Sequence, residues 1–155
     1  MVVAPVPPGY ASVTPYLIVH DAAKAIDFYQ RAFGAVELFR LAGPDGTIGH
    51  AEIRIGHSPV MLADGMGGYP DPLTLGGSSV SFMLYVPDVD AAFARAIAAG
   101  ATVKRPVADQ FYGDRTGTLA DPFGHVWSLA THVEDVSPQE MDRRFKEMTK
   151  PAASA

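Results

Sequence analysis

His50, Glu52 and Arg54 alternate along one short stretch, and alternate residues of a strand share a face. A histidine and a carboxylate two positions apart suit either an acid–base pair or two ligands of one divalent metal. The other reading is that they bond each other, Arg54 or water along a wide polar groove. Tyr16, Met83 and Tyr85 offer aromatic and thioether surface, suited to a flat or amphipathic organic ligand or to filling space between structural units. Tyr112 and Arg115 stand in a loop-like run, Phe111-Tyr112-Gly113-Asp114-Arg115. There Arg115 is placed to meet a carboxylate or phosphonate, or to pair with Asp114 within the turn. No serine–histidine–acid triad, phosphate loop or nucleotide fingerprint is visible.

These side chains must be positioned by a duplicated unit. Val19 falls on Val86, Asp21 on Asp88 and Leu62 on Leu129 at one constant offset of 67 residues, with Gly34 and Gly100 a single residue off that register. A repeat of this length is a duplicated module, not a solenoid period. In the first copy, 13–19 reads as a strand and Asp21 caps a helix with Ala25, Ile26, Tyr29, Ala32 and Phe33 on one side, closed by Gly34. A strand over 35–41, a turn at Gly43–Gly46 and a hairpin of 50–55 with 59–63 about Gly56-His57 complete a βαβββ unit. The second copy has a strand over 80–86, a helix from Asp88 to Gly100, and strands near 101–104, 116–120 and 125–131. With Gly56-His57 as a two-residue turn, Glu52 lies opposite Met61 and His50 opposite Ala63. Ala51, Ile53, Val60 and Leu62 then face the helix, while His50, Glu52 and Arg54 face a concavity with Thr14, Tyr16, Ser81, Met83 and Tyr85.

The expected fold is therefore α+β: two tandem βαβββ modules forming curled mixed sheets with helices outside, plus a C-terminal helix. Residues 1–10 form an arm, 11–132 a single domain (module one 11–64, linker 65–79, module two 80–132), and 133–155 the C-terminal helix and tail. The linker is rich in Gly and Pro and reads as a mobile linker or lid. In the terminal helix Ser137 caps, Pro138 takes the first position and Glu140 completes a capping box. Its Met141/Phe145/Met148 stripe is expected to dock on the sheet or on a second subunit. Trp127 is expected under the helices, His20, His57 and His125 as solvated turn residues, and His132 without a visible partner.

Composition narrows the function. The formal charge is −5, with 48% hydrophobic and 19% charged residues. Without a Lys/Arg run, nucleic acid and anionic membranes are disfavoured partners. The absence of cysteine removes disulfides, thiolate nucleophiles and zinc–sulfur sites. The first ten residues lack the basic start and long apolar stretch of a signal peptide, and no segment is apolar enough to span a bilayer, so a cytoplasmic location is expected.

Five stretches, TPYLIV (14–19), AIDFYQRAFGA (25–35), GHAEIRIG (49–56), FYGDRTGTLADPFGHVWSLAT (111–131) and DVSPQEM (135–141), carry a resemblance to the vicinal oxygen chelate superfamily. That superfamily includes glyoxalase I, extradiol dioxygenases and the fosfomycin- and bleomycin-resistance proteins, and the wording is similar to its PhnB-like group. The resemblance spans roughly residues 10–148. In metal-dependent members each module supplies one ligand from its first strand and one from its last; by resemblance these fall at Thr14, Ser81, Met61 and Ser128. Hydroxyls and a thioether are poor substitutes for imidazole or carboxylate, so no metal cofactor is expected.

The leading expectation is a small-molecule binding protein of the glyoxalase/bleomycin-resistance type, a homodimer. Its concave cavity would take an aromatic or amphipathic ligand, with Tyr16, His50, Glu52, Met83, Tyr85, Tyr112 and Arg115 at the site. The alternatives are a metal-assisted lyase or isomerase using His50 and Glu52, and a structural dimer without ligand.

Overall fold

The computed structural model describes residues 3–66 and 68–150. Residues 1–2 of the expected arm, 67 of the linker and 151–155 of the tail lie outside the described residues. The first module runs β1 (Tyr16–Val19), α1 (Ala22–Phe33), β2 (Val36–Ala42), β3 (Ile48–Ile55) and β4 (Ser58–Asp64). A short α2 (Pro72–Leu75) follows. The second module runs β5 (Ser81–Tyr85), α3 (Val89–Ala99), β6 (Thr102–Asp109), β7 (Asp114–Ala120) and β8 (Val126–His132), and the terminal helix is α4 (Pro138–Met148). Each module makes a four-stranded mixed sheet, ordered β1-β4-β3-β2 and β5-β8-β7-β6. In each sheet the first and last strands run parallel, Tyr16 beside Met61 and Met83 beside Ser128.

The duplication extends to the bonds that launch the helices. Asp21 and Asp88 cap α1 and α3, accepting from the backbone N–H groups of Lys24 and Ala91. Asp64 at the end of β4 accepts from Ala22 N–H at 2.7 Å, and Thr131, 67 residues later, accepts from Val89 N–H at 2.9 Å. Gly34 ends α1 at φ 68°, a conformation that L side chains rarely adopt.

Alternation decides what is buried. Leu17, Val19, Ala51, Ile53, Val60 and Leu62 of the first sheet and Leu119, Trp127 and Leu129 of the second all face helices and are buried. The residues between them point away from the helices, leaving one open face on each sheet. The two helical faces join in one continuous core, because α1 and α3 pack on each other. Trp127 lies there as expected, 4.9 Å from the Phe33 ring and 4.7 Å from Phe82.

Asp121, in the β7–β8 turn, ties the modules together. Only 5% exposed, it accepts from Tyr29 Oη of α1 at 2.7 Å, from Trp127 Nε1 at 2.9 Å, and from the backbone N–H groups of Phe123 and His125. Burial, followed by the charge of Asp121, pushes the Tyr29 phenol well above its ordinary pKa. His125, expected as a solvated turn residue, is instead buried. Its Nε2 lies 3.0 Å from the carbonyl oxygen of Ile18 in the first module, because the turn folds back against β1.

Other expectations change in detail. β6 runs on to Asp109 through Pro106, which an edge strand with register shifts at Val103/Arg105 and Arg105/Ala108 tolerates. The second half of the linker is a helical turn capped by Asp71. It lies so close to the β7–β8 turn that a Cβ on Gly124 would come within 2.9 Å of Pro72. Ser137 and Pro138 start α4 as expected, but the Glu140 carboxylate goes to Arg143 and Arg144 rather than back to Ser137. The Met141/Phe145/Met148 stripe stays exposed, with Phe145 alone meeting an aromatic ring, that of Phe111 at 5.8 Å.

Replacing Asp121 by alanine strands several buried donors at once. Urea unfolding of Asp121→Ala is expected to show a loss on the order of 3–5 kcal/mol, with Asp121→Asn in between. A loss under ~1 kcal/mol would mean that the core, not this carboxylate, holds the modules together.

Candidate functional site

The first open face carries Tyr16, His50 and Glu52 in one hydrogen-bonded line. Glu52 stands opposite Met61, as the two-residue turn requires. Tyr16 Oη lies 2.8 Å from His50 Nδ1, and His50 Nε2 lies 3.1 Å from Glu52 Oε1. A carboxylate only accepts, so Nε2 donates to Glu52 and Nδ1 is left to accept from the Tyr16 phenol. Phe39 of the neighbouring edge strand adds a ring 5.6 Å from the imidazole, with Tyr16 at 5.5 Å on its other side. Phe39 escaped the sequence reading because a register shift between Glu37 and Phe39 carries it to the level of Glu52. Beside this line opens a cavity of ≈ 670 Å³ lined by Tyr16, Ile18, Gly49, Ala63, Met66 and Tyr69. Met66 and Tyr69 come from the segment after β4, where a lid was expected.

Met83 and Tyr85 do not join that line; they lie on the open face of the second sheet. The five residues expected on one concave surface thus divide between two, since the sheets do not close on each other. On the second face Tyr85 Oη donates to Asp114 Oδ2 at 2.7 Å, which raises the pKa of the phenol. Tyr112 is half-buried nearby, its phenol raised by burial and then by the charge of Asp114. Arg115 has the opposite parity. Its guanidinium reaches Asp90 of α3 at 2.8 Å and Asp109 at 3.1 Å, on the helix side and away from both open faces.

A cluster on the second face was missed. His132 Nδ1 lies 2.8 Å from the buried Asp114 and Nε2 2.9 Å from the exposed Asp135. A carboxylate stands on each side of the ring, so its charged form can donate from both nitrogens. This corrects the expectation of a His132 without partner, and of the readings left open for Arg115 it removes the pairing with Asp114. The signal was in the sequence: carrying the β7–β8 hairpin outward from its turn at 121–125 sets Asp114 opposite His132. Starting β7 at 116 stopped it two pairs short.

Known proteins are similar to this chain in fold and in sequence. Residues 9–129 match the family model of the glyoxalase/bleomycin resistance protein/dioxygenase superfamily. The chain belongs to that superfamily. It is 50% identical over 135 residues to the uncharacterized protein Mb0911c of Mycobacterium bovis, covering 84% of this chain and 89% of that one. Among solved structures it is similar to TioX from Micromonospora sp. ML1, at 29% identity and a TM-score of 0.63 over 82% of this chain and 100% of that one. The fosfomycin resistance protein FosX of Listeria monocytogenes shares the superfamily fold at 19% identity and a TM-score of 0.63, over 84% and 97% of the two chains. The PhnB protein of Bacillus cereus, at 18% identity, shares it with a TM-score of 0.61 over 78% and 99%. Among the described residues, no helix of this superfamily member is long and apolar enough to cross a membrane.

Asp135 first, and Asp114 second, raise the pKa of His132 above its ordinary 6.5. A raised histidine pKa contributes stability in full below the unfolded value, and that contribution is lost as pH rises through the folded value. An NMR titration of the ring is expected to give a midpoint above 6.5 that falls in Asp135→Asn. An unchanged midpoint would break the link between this imidazole and its carboxylates.

Proposed function

We propose that this superfamily member is a small-molecule binding protein whose cavity beside Tyr16 takes an aromatic or amphipathic ligand, and that its inherited metal site is lost. The observation carrying the first part is the cavity itself. Its volume falls within the ordinary range of ligand pockets, and its wall combines Tyr16, Tyr69, Ile18 and Met66 with the bonded His50–Glu52 pair alongside. Apolar and aromatic surface supplies affinity, and the phenol–imidazole–carboxylate line supplies orientation. Met83, Tyr85 and Tyr112 form the corresponding ligand surface of the second module.

The second part rests on donor chemistry. The positions implied as metal ligands hold Thr14, Met61, Ser81 and Ser128, and the residues level with Met61 and Ser128 are Tyr16 and Met83. The hydroxyls at two of these positions are engaged within the chain, Thr14 with the Ala11 carbonyl and Ser128 with Thr118. This set, without imidazole or carboxylate, does not fit a catalytic divalent cation. His50 and Glu52 are bonded to each other, which favours an orienting role over joint ligation. The protein is further proposed to act in the cytoplasm as a homodimer, the exposed Leu41, Tyr16 and Met83 and the α4 stripe being surface that a second copy would cover.

Three measurements test these proposals. A thermal-shift screen of planar aromatic compounds is expected to give hits that Tyr16→Ala weakens by about 1–3 kcal/mol, roughly five- to a hundred-fold; hits indifferent to Tyr16→Ala would place the site elsewhere. Untagged protein is expected to carry no stoichiometric divalent metal. One equivalent of zinc, nickel, manganese or iron that is lost in His50→Ala or Glu52→Gln would instead establish the metal-assisted lyase or isomerase. Light scattering is expected to give twice the chain mass.

A further inference from the structure

The open face of the second sheet contains one group that the fold leaves unexplained. Thr116 is 8% exposed, and its hydroxyl is the one buried side-chain polar atom without a hydrogen-bond partner among the described residues. A buried, unpaired hydroxyl is costly. It also points away from the core. Its neighbours Arg115 and Gly117 face α3, where a Cβ on Gly117 would come within 2.8 Å of Phe93, so Thr116 faces the other way. In the ladder, Glu52 stands opposite Met61 and Thr118 opposite Ser128. Thr116, two residues before Thr118, therefore holds the place that His50, two before Glu52, holds on the first face.

Tyr85 reaches the same strand. Tyr85, Ala130 and Thr116 are level across β5, β8 and β7, and the Tyr85 phenol bonds Asp114, two residues before Thr116 on β7. The ring therefore crosses above the small Ala130 toward the strand that carries Thr116. Tyr85 is itself 59% exposed, so it can swing outward without opening the core. Around it the face is rich in hydroxyls: Thr118 and Ser128 lie 2.9 Å apart, and the Tyr112 phenol stands near Asp114. Charges nearly balance, Asp114 and Asp135 against His132 and Arg105, the last level with Thr118. A neutral partner whose groups both donate and accept suits such a surface, and aromatic faces suit its C–H edges.

We propose that the second open face is a subsite for a polyhydroxylated ligand, one hydroxyl of which enters beneath Tyr85, donates to Asp114 in place of the phenol and bonds Thr116. The exchange keeps the donor count on Asp114 and gives Thr116 its missing partner, a net gain of one buried hydrogen bond. The proposal rests on reading the open faces as ligand-binding surfaces and adds the chemical class taken by the second.

The test is an amide chemical-shift titration of the full chain with phenyl β-D-glucopyranoside, with phenol as the hydroxyl-poor control. Saturable shifts are expected at 83–85, 114–118 and 128–132 with the glucoside and not with phenol. Thr116→Val should raise the Tm of the free protein by about 2–6 °C, by removing the unpaired hydroxyl, while weakening the glucoside about five- to tenfold. Thr116→Ser, which keeps the hydroxyl, should retain binding. A hydroxyl needed only for folding would lower the Tm in Thr116→Val and leave affinity unchanged; either result overturns the proposal, as do equal shifts with phenol or none with the glucoside. Aromatic compounds still binding at Tyr16 while the glucoside fails would sink this subsite alone, whereas failure of both would sink the reading of the open faces.

Discussion

The rest of the structure depends on the carboxylate of Asp121. A buried charge is tolerable only when its acceptor sites are filled, and Asp121 fills them with donors from both halves of the chain: the Tyr29 phenol of α1, the Trp127 indole and two N–H groups of its own turn. Phe28 and Phe123 pack edge-on or tilted around that point, and Phe33 stacks on Tyr29. His125, in the same turn, fastens the corner to the backbone of β1. With this corner fixed, α1 and α3 can only pack on each other, and each sheet turns its other face outward.

That geometry separates scaffold from chemistry. The helix-facing residues repeat because both modules must solve one packing problem; Asp64 and Thr131 do the same work on equivalent N–H groups with different side chains. The open faces carry no such constraint. Where the first sheet has His50 and Glu52, the second has Thr116 and Thr118, and where the first has Ile18 the second has Tyr85. A superfamily fold shared with fosfomycin-resistance and PhnB proteins is therefore compatible with surfaces that recognise quite different molecules, since function lives in the site rather than in the fold.

The open faces also show how polar groups are made affordable at a sheet surface. On the first, an imidazole links a phenol to a carboxylate. On the second, His132 bridges two carboxylates and leaves the other oxygen of the buried Asp114 for Tyr85. Arg115 braces the opposite side of the same strand against Asp90 and Asp109. Alternation along β7 thus sends one charge to each side of the sheet.

The sequence by itself determined the modules, the caps and the alternation. Aspartates at 21 and 88, glycines at 34 and 100 and the turn at Gly56-His57 are local signals, and parity follows from them; so Glu52 lies opposite Met61 and Trp127 under the helices, as read. What only the tertiary structure decided depends on contacts between residues distant in the chain. The division of Tyr16 and Tyr85 between two faces, the burial of His125 and the four-donor shell of Asp121 arise from how the modules dock, which no local pattern encodes. β6 and the Asp114–His132 pair fall in between. A proline and two register shifts hid the strand's length, and the pair needed a hairpin extended two residues further from its turn. Single-residue slips in a ladder turn side chains to the opposite face, so the open faces were the hardest part of this fold to read from sequence.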